Sequence, residues 1–202
     1  MSIDLKDAAI FENMTGNFKT IQQRIFYNDE TALAALYQAF YVKLQHFAKA
    51  LVHSNEVAEE VVEDVFVKLW CNRSNIVTID NLTVYLYVAV KNNCLNFISK
   101  KAKDLIASPF DFLDIELSEG SPNPHDILIT AEMMQRMQKV IEALPPRCKM
   151  VFKLVREDGL KYKEVSQILN ISVNTIDAQM AIAVKRICTA MGIEKSRKEL
   201  PL

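Results

Sequence analysis

The 202-residue sequence is poor in residues that punctuate a chain, with 4 glycines and 6 prolines. So few turn formers argue against an all-β fold of many short strands and against a low-complexity chain. Cysteine is scarce too. Cys71, Cys94, Cys148 and Cys188 form no C-x-x-C pair and no metal-ligand spacing. Free thiols of a reducing compartment are expected, with Cys94 and Cys148 inside apolar patterns. His46, His53 and His125 include no i, i+4 pair and receive no chemistry. No apolar run approaches the ~20 residues that cross a bilayer. The start, Met1-Ser2-Ile3-Asp4, lacks a basic n-region, so no signal peptide is expected and the protein is read as cytoplasmic. A Gly-rich phosphate loop, paired catalytic acids and a metal-binding cluster are all missing from the pattern. The chain is therefore read as no enzyme, with no cofactor, no metal and no small-molecule substrate.

A large charge of either sign is also lacking, since the formal net charge is −1. Spread evenly, that value would speak against a nucleic-acid partner, but the charge is partitioned. Residues 1–104 carry 11 bases and 12 acids, residues 105–130 no base and 5 acids, and residues 131–202 carry 13 bases and 8 acids. An acidic middle conceals a basic C-terminal part, and such asymmetry is itself a signal.

What is present is helix-forming sequence, half of it apolar. Leu33, Leu36, Phe40, Leu44 and Phe47 recur near a 3.6 period and predict a helix over residues 31–51, capped by Asn28-Asp29 or Thr31. Ser54-Asn55 offers a cap for a second helix over 56–70. Residues 72–81 are polar and turn-like, and Asp80 or Asn81 caps a third helix from Leu82 to about Lys103. Ile10, Phe11, Phe18 and Ile21 suggest a further helix in the first ~25 residues. Residues 107–124 hold three prolines, one glycine and only negative charge, the composition of a linker. Met133, Met137, Val140, Ile141 and Leu144 predict a helix stopped by Pro145 and Pro146. Another is expected over 147–157, ended by Asp158-Gly159.

Residues 159–186 have the pattern of a helix-turn-helix. Tyr162, Val165 and Leu169 line one face of a short helix, Asn170-Ile171 makes the turn, and Ser172 caps the next helix. Ile176, Met180, Val184 and Ile187 repeat at intervals that pack it back on the first. Asn174, Thr175, Asp177, Ala178 and Gln179 then occupy the turns that meet base edges in a major groove. Lys161, Lys163, Lys185 and Arg186 lie where phosphates could be met, and Asp177 departs from a purely cationic surface. An ordinary helical hairpin with solvated charges is the alternative.

Two other helices have unusual outer faces. Behind an apolar stripe of Val57, Val61, Val65 and Leu69, the second helix sets Glu56/Glu60, Glu59/Glu63 and Glu60/Asp64 as like-charge i, i+4 pairs. Each such pair costs a few tenths of a kcal/mol, which suggests a basic or polar partner. The third helix carries Asn92, Asn96 and Ser99 on one face, flanked by Lys91 and Lys100, where amide edges and cations could hold bases and phosphates. A merely solvated polar face is the competing reading of each.

In this order the motifs are similar to a known family. Residues 58–70 (AEEVVEDVFVKLW), 85–101 (YLYVAVKNNCLNFISKK) and 144–186 resemble regions 2.2, 2.3–2.4 and 4 of bacterial RNA polymerase sigma factors of the sigma-70 family, in the short extracytoplasmic-function (ECF) group. The resemblance implies an all-α protein of two small helical domains joined by a flexible acidic linker. Residues 1–24 would form an N-terminal extension, 25–104 a region 2-like domain, 105–130 the linker, 131–190 a region 4-like helix-turn-helix domain, and 191–202 a tail.

The same resemblance implies the partners: RNA polymerase core, promoter DNA as duplex and as non-template single strand, and an anti-sigma factor. Glu60, Glu63, Asp64, Phe66 and Lys68 would bind the core, although Glu60 and Glu63 stand where the family more often has Asp and Gln. Trp70 also matches, with a core-anchor role as its alternative. Lys91, Asn92, Asn93, Asn96, Lys100 and Lys101 would hold the −10 strand, with Asn96 where many members have Asp. The loop over residues 72–80 would receive a flipped base. Lys161, Ser172, Asn174, Thr175, Gln179, Lys185 and Arg186 would read the −35 element, with Asn170 at a turn usually held by Gly. Tyr162 also matches, and packing is its expected role. Residues 105–127 would reach roughly 75–80 Å if extended, more than the roughly 70 Å of two duplex turns. From residues 159–186 alone, a two-domain regulator binding an operator without replacing the sigma subunit stays open, as does a helical adapter.

Overall fold

The structure is a computed structural model that describes residues 18–101 and 128–192. The first part of the expected N-terminal helix, with Ile10 and Phe11, lies outside the described residues, as do residues 105–127 of the expected linker and 193–202 of the tail. The chain divides into two compact units, Met1–Ser118 and Glu119–Leu202. The described residues are helical, with no strand among them.

The N-terminal unit contains α1 (Phe18–Phe26), α2 (Glu30–Val52), α3 (Asn55–Cys71), a 3₁₀ segment (Arg73–Thr78) and α4 (Leu82–Lys101). The N-terminus of α2 is set by Asp29, whose Oδ1 accepts from the Thr31 and Ala32 backbone nitrogens at 3.0 and 3.3 Å. His53 in the left-handed region closes α2, its N–H donating to the Lys49 carbonyl at 2.9 Å. Immediately afterwards Ser54 Oγ accepts from Val57 N–H and starts α3. Asn81 Oδ1 accepts from Val84 N–H at 3.0 Å and starts α4. These side-chain caps take over backbone donors that have no partner inside a helix.

The apolar stripes of α2, α3 and α4 then meet in one core. Leu36, Phe40, Leu44, Val62, Leu86 and Val90 are fully or almost fully buried. Tyr87 is wholly buried and edge-on to Phe47, the ring centroids 5.2 Å apart. α1 crosses the expected boundary at residue 24 and packs on both α2 and the 3₁₀ segment. That segment replaces the expected polar turn. Ile76 is 1% exposed and anchors it, so residues 72–81 are a wound loop with an apolar plug.

The C-terminal unit contains α5 (Leu128–Glu142), α6 (Pro146–Arg156), α7 (Tyr162–Leu169) and α8 (Val173–Met191). α5 begins inside the expected linker range. Pro146 occupies the first turn of α6, where no backbone donor is required. Gly159, with φ +76°, turns the chain after α6, and Leu160 N–H reaches back to the Leu154 carbonyl at 3.0 Å. α8 packs against α5, α6 and α7 through Ile176, Met180 and Ala183. The expected stripe of α5 is only half realised: Ile141 and Leu144 are buried, whereas Met133 and Met137 are exposed. At the C-terminal end of α5 an ionic cluster adds to this packing. Lys149, 4% exposed, places Nζ 3.2 Å from Glu142 Oε2, and Lys153 Nζ lies 3.3 Å from Glu142 Oε1.

Candidate nucleic-acid and protein interfaces

In α7 and α8 the expected helix-turn-helix is built bond by bond. Asn170 adopts φ 56°, ψ 47°, the left-handed geometry that asparagine tolerates better than most residues. Ser166 Oγ donates to the Ile171 carbonyl at 2.6 Å and Ile171 N–H returns to the Ser166 carbonyl at 3.2 Å, so the turn is closed from both sides. Ser172 Oγ accepts from Thr175 N–H at 3.0 Å and lies 2.8 Å from Thr175 Oγ1. The N-terminal turns of α8 consequently project Asn174, Thr175, Asp177 and Ala178 into solvent, with Gln179 half-buried behind them. Lys161 and Lys163 at the start of α7 are exposed, as are Lys185 and Arg186 near the far end of α8, while Tyr162 is half-buried. Lys161 N–H donates to Glu164 Oε2 at 2.9 Å, which fixes the first turn of α7. Arg186 lies close enough to the buried Cys148 thiol to favour its ionisation, although burial dominates and pushes that thiol up.

The acidic face of α3 is as exposed as its pattern implies. Glu56, Glu59, Glu60, Glu63 and Asp64 all lie at the surface. Part of the like-charge cost is offset locally. Glu56 accepts from Ser54 Oγ at 2.7 Å, a bond that lowers its carboxyl pKa, and Glu59 accepts from Gln45 Nε2 at 3.2 Å. Lys68 pairs with Asp64 at 3.7 Å, an exposed contact worth a few tenths of a kcal/mol.

Phe66, grouped with these residues in the sequence, is placed elsewhere. It is 4% exposed, and its ring meets Tyr37 edge-on with centroids 4.9 Å apart. Beside it a shallow pocket of about 350 Å³ is lined by Leu33, Tyr37, Glu63, Phe66, Val67 and Trp70. Burial raises the Tyr37 hydroxyl pKa, and the nearby Tyr41 and Glu63 raise it further. Sequence reasoning missed Tyr37 and Val67. Val67 is 60% exposed and outside the apolar stripe, and a valine beside Lys68, one turn after Glu63 and Asp64, was the available signal.

On α4, Asn92, Asn96 and Lys100 are exposed, and Asn93 and Lys91 are half-buried. Partial burial pushes the Lys91 ammonium below its usual value. Lys101 ends the helix, and its side chain lies outside the described residues. The adjoining 3₁₀ loop leaves Ser74, Asn75, Val77 and Thr78 exposed. Arg73 sits at its start with its guanidinium 4.8 Å from the Trp70 ring centroid. Trp70 is thus both a wall of the pocket and a platform for a cation. Among the described residues no cluster of His, Cys, Asp or Glu suits a metal, and no helix is long and apolar enough to cross a membrane.

Comparison with known proteins matches both units. Residues 36–104 match Sigma-70 region 2 and residues 134–187 match Sigma-70 region 4, together more than half of the chain. The chain is 23% identical over 168 residues to the ECF RNA polymerase sigma-E factor of Escherichia coli (strain K12), covering 80% of this chain and 87% of the relative. It is 23% identical over 164 residues to the ECF RNA polymerase sigma factor SigW of Bacillus subtilis (strain 168), covering 75% and 84%. Two solved structures share the fold. One is CnrH in complex with the cytosolic domain of CnrY (TM-score 0.52, 15% identity, 88% of this chain and 98% of that one). The other is the sigma factor RpoE with the anti-sigma factor NepR from Bartonella quintana (TM-score 0.53, 20% identity, 79% and 98%). An operator-binding regulator has no use for a region 2 domain, and that reading is not favoured. The two matched regions, in this order and on these two helical units, mean that the chain belongs to the sigma-70 family of RNA polymerase promoter-recognition factors, within its extracytoplasmic-function group.

Proposed function

We propose that the three exposed faces divide the work of initiation. Glu60, Glu63, Asp64 and Lys68 on α3 dock on RNA polymerase core, with Phe66 and Tyr37 as the floor of an adjoining apolar pocket. Lys91, Asn92, Asn93, Asn96, Lys100 and Lys101 hold the opened −10 strand, and the 3₁₀ loop receives a flipped base. Lys161, Ser172, Asn174, Thr175, Gln179, Lys185 and Arg186 bind the −35 duplex.

The observation that carries this reading is the acidic face of α3, which stays exposed although its like charges oppose the helix. A basic or polar partner explains why it is kept. The domains would run as the sequence reading has them, with residues 105–130 as the tether. The acids of that tether would face the basic walls of a polymerase channel. The protein acts in the cytoplasm, carries no catalytic group of its own, and is held in check by an anti-sigma protein. Two structural neighbours solved with partner chains, CnrY and NepR, support that last point.

Run-off transcription with purified core polymerase tests the reading. Promoter-specific transcripts that depend on this protein are expected. Asp64→Ala should weaken core association, and Asn174→Ala should change −35 preference. Duplex binding without core and no transcript would overturn it.

A further inference from the structure

The 3₁₀ loop is anchored at both ends from outside the residues matched as region 2. Gln22 on α1 is 4% exposed. Its Nε2 donates to the Ile76 carbonyl at 2.8 Å and to the Ile79 carbonyl at 2.7 Å. A side-chain amide nitrogen has two hydrogens, and both are spent on the end of this one loop. At the other end Arg73 Nε donates to Asn28 Oδ1, and Nη1 donates to the Trp70 carbonyl at 3.0 Å. Asn28 belongs to the turn after α1 and has φ 65°. Between the two anchors Ile76 is plugged into the core, and Ser74, Asn75, Val77 and Thr78 face solvent. Thr78 Oγ1 donates to the Asn75 carbonyl at 2.7 Å and closes the arc.

We propose that Gln22 and Asn28 are positioning residues for −10 base recognition: they hold the backbone of the Arg73–Thr78 loop in the shape that receives the extruded base. The proposal rests on the reading of that loop as the base receiver. A pocket for a flipped base discriminates only if its polar groups are fixed before the base arrives. Gln22 supplies that fixity without touching DNA, because it is buried beneath the loop. Arg73 ties the opposite end to the turn that follows the same helix. The helix and the turn after it therefore govern the loop without supplying any of the α3 residues proposed to bind the core.

The test uses full-length protein reconstituted with core polymerase and promoters that differ only in their −10 bases. Gln22→Met keeps the length of the side chain and removes the donor. Asn28→Gly removes the acceptor and costs no backbone strain at positive φ, which glycine adopts freely. Both variants should bind core within about twofold of wild type. Their discrimination between favoured and disfavoured −10 bases should fall at least about tenfold, since a displacement near 1 Å is enough to spoil a preorganised site. Unchanged discrimination in both variants overturns the proposal, as does a loss of core affinity parallel to the loss of discrimination. A Ser74→Ala/Asn75→Ala control separates the two layers. If it loses discrimination while Gln22→Met and Asn28→Gly do not, the anchors alone are refuted. If it and wild type discriminate equally, the loop is not the base receiver and both readings fall.

Discussion

The hydroxyl oxygens of Ser172 and Thr175 lie 2.8 Å apart, and Ser172 Oγ also accepts from the Thr175 backbone N–H at 3.0 Å. Two residues proposed to meet the −35 duplex are therefore already engaged with each other. Ser172→Ala should cost about 1 kcal/mol of stability through the lost cap. Thr175→Ala should cost less, and the double variant less than the two together by about 0.5–1 kcal/mol, because they lose one shared contact. Denaturant titration of the four proteins measures this. Additive losses would mean that the hydroxyl pair contributes nothing.

Glu142 joins α5 to α6 through two lysines, one of them buried. Glu142→Ala should destabilise the protein by about 3–5 kcal/mol, since Lys149 would be left as a buried cation without its anion. Lys149→Met should be tolerated within about 1 kcal/mol, because it removes the buried charge together with the need for a partner. Calorimetric scans of the two variants should differ strongly, and equal losses would contradict the asymmetry.

The thiols should separate by accessibility. Cys71 is exposed and Cys188 half-buried, whereas Cys94 and Cys148 are buried. Burial pushes the Cys94 thiol up to about 12 and also raises Cys148. At neutral pH a maleimide should label Cys71 first and Cys188 next, reaching Cys94 and Cys148 only after denaturation, because thiolate fraction and access both limit the rate. Mass spectrometry of partially labelled protein reads the order.

Asp29 gives the N-terminal unit a calculable acid response. Hydrogen bonds from Thr31 and Arg24 hold its carboxyl at about 2, below the usual 3.8. A depressed carboxylate pKa contributes stability that is complete above the usual value and is lost as pH falls towards the folded value. Asp29→Asn retains a capping side chain but not the charge. Its melting temperature should lie below that of wild type near neutrality, and the gap should narrow from about pH 4 to about pH 2. A constant gap across that range would show that the carboxylate charge is irrelevant.

The helices were legible where a local rule acts alone. Asp29, Ser54, Asn81 and Ser172 cap because a short polar side chain before an apolar-periodic run takes a free backbone donor. Asn170 turns because asparagine tolerates left-handed backbone. What was not legible depends on partners distant in sequence. Ile76 stands in a polar stretch and is buried because α1 lies against it. Lys149 is one of the 13 bases of the C-terminal part, yet it is enclosed beside Glu142. Met133 and Met137 fit a helical stripe, yet they stay exposed. Phe66 sits inside the motif that marked the face proposed to bind the core, but its position on the helix turns it towards Tyr37. Pattern located faces that the structure leaves exposed; it did not separate the side chains that form a surface from those that support it.

The region 2 match begins at residue 36, inside the helix Glu30–Val52. A fragment cut at that edge would lose the Asp29 cap, the first turn of the helix and all of Phe18–Phe26. It would keep every residue proposed to touch the polymerase or the opened strand, and yet Ile76 and Ile79 would present bare carbonyls where Gln22 had been. Under the proposal that Gln22 and Asn28 shape the loop, the unit that sets −10 preference is longer than the matched one, and swapping region 2 between relatives should carry base preference only when the preceding helix travels with it.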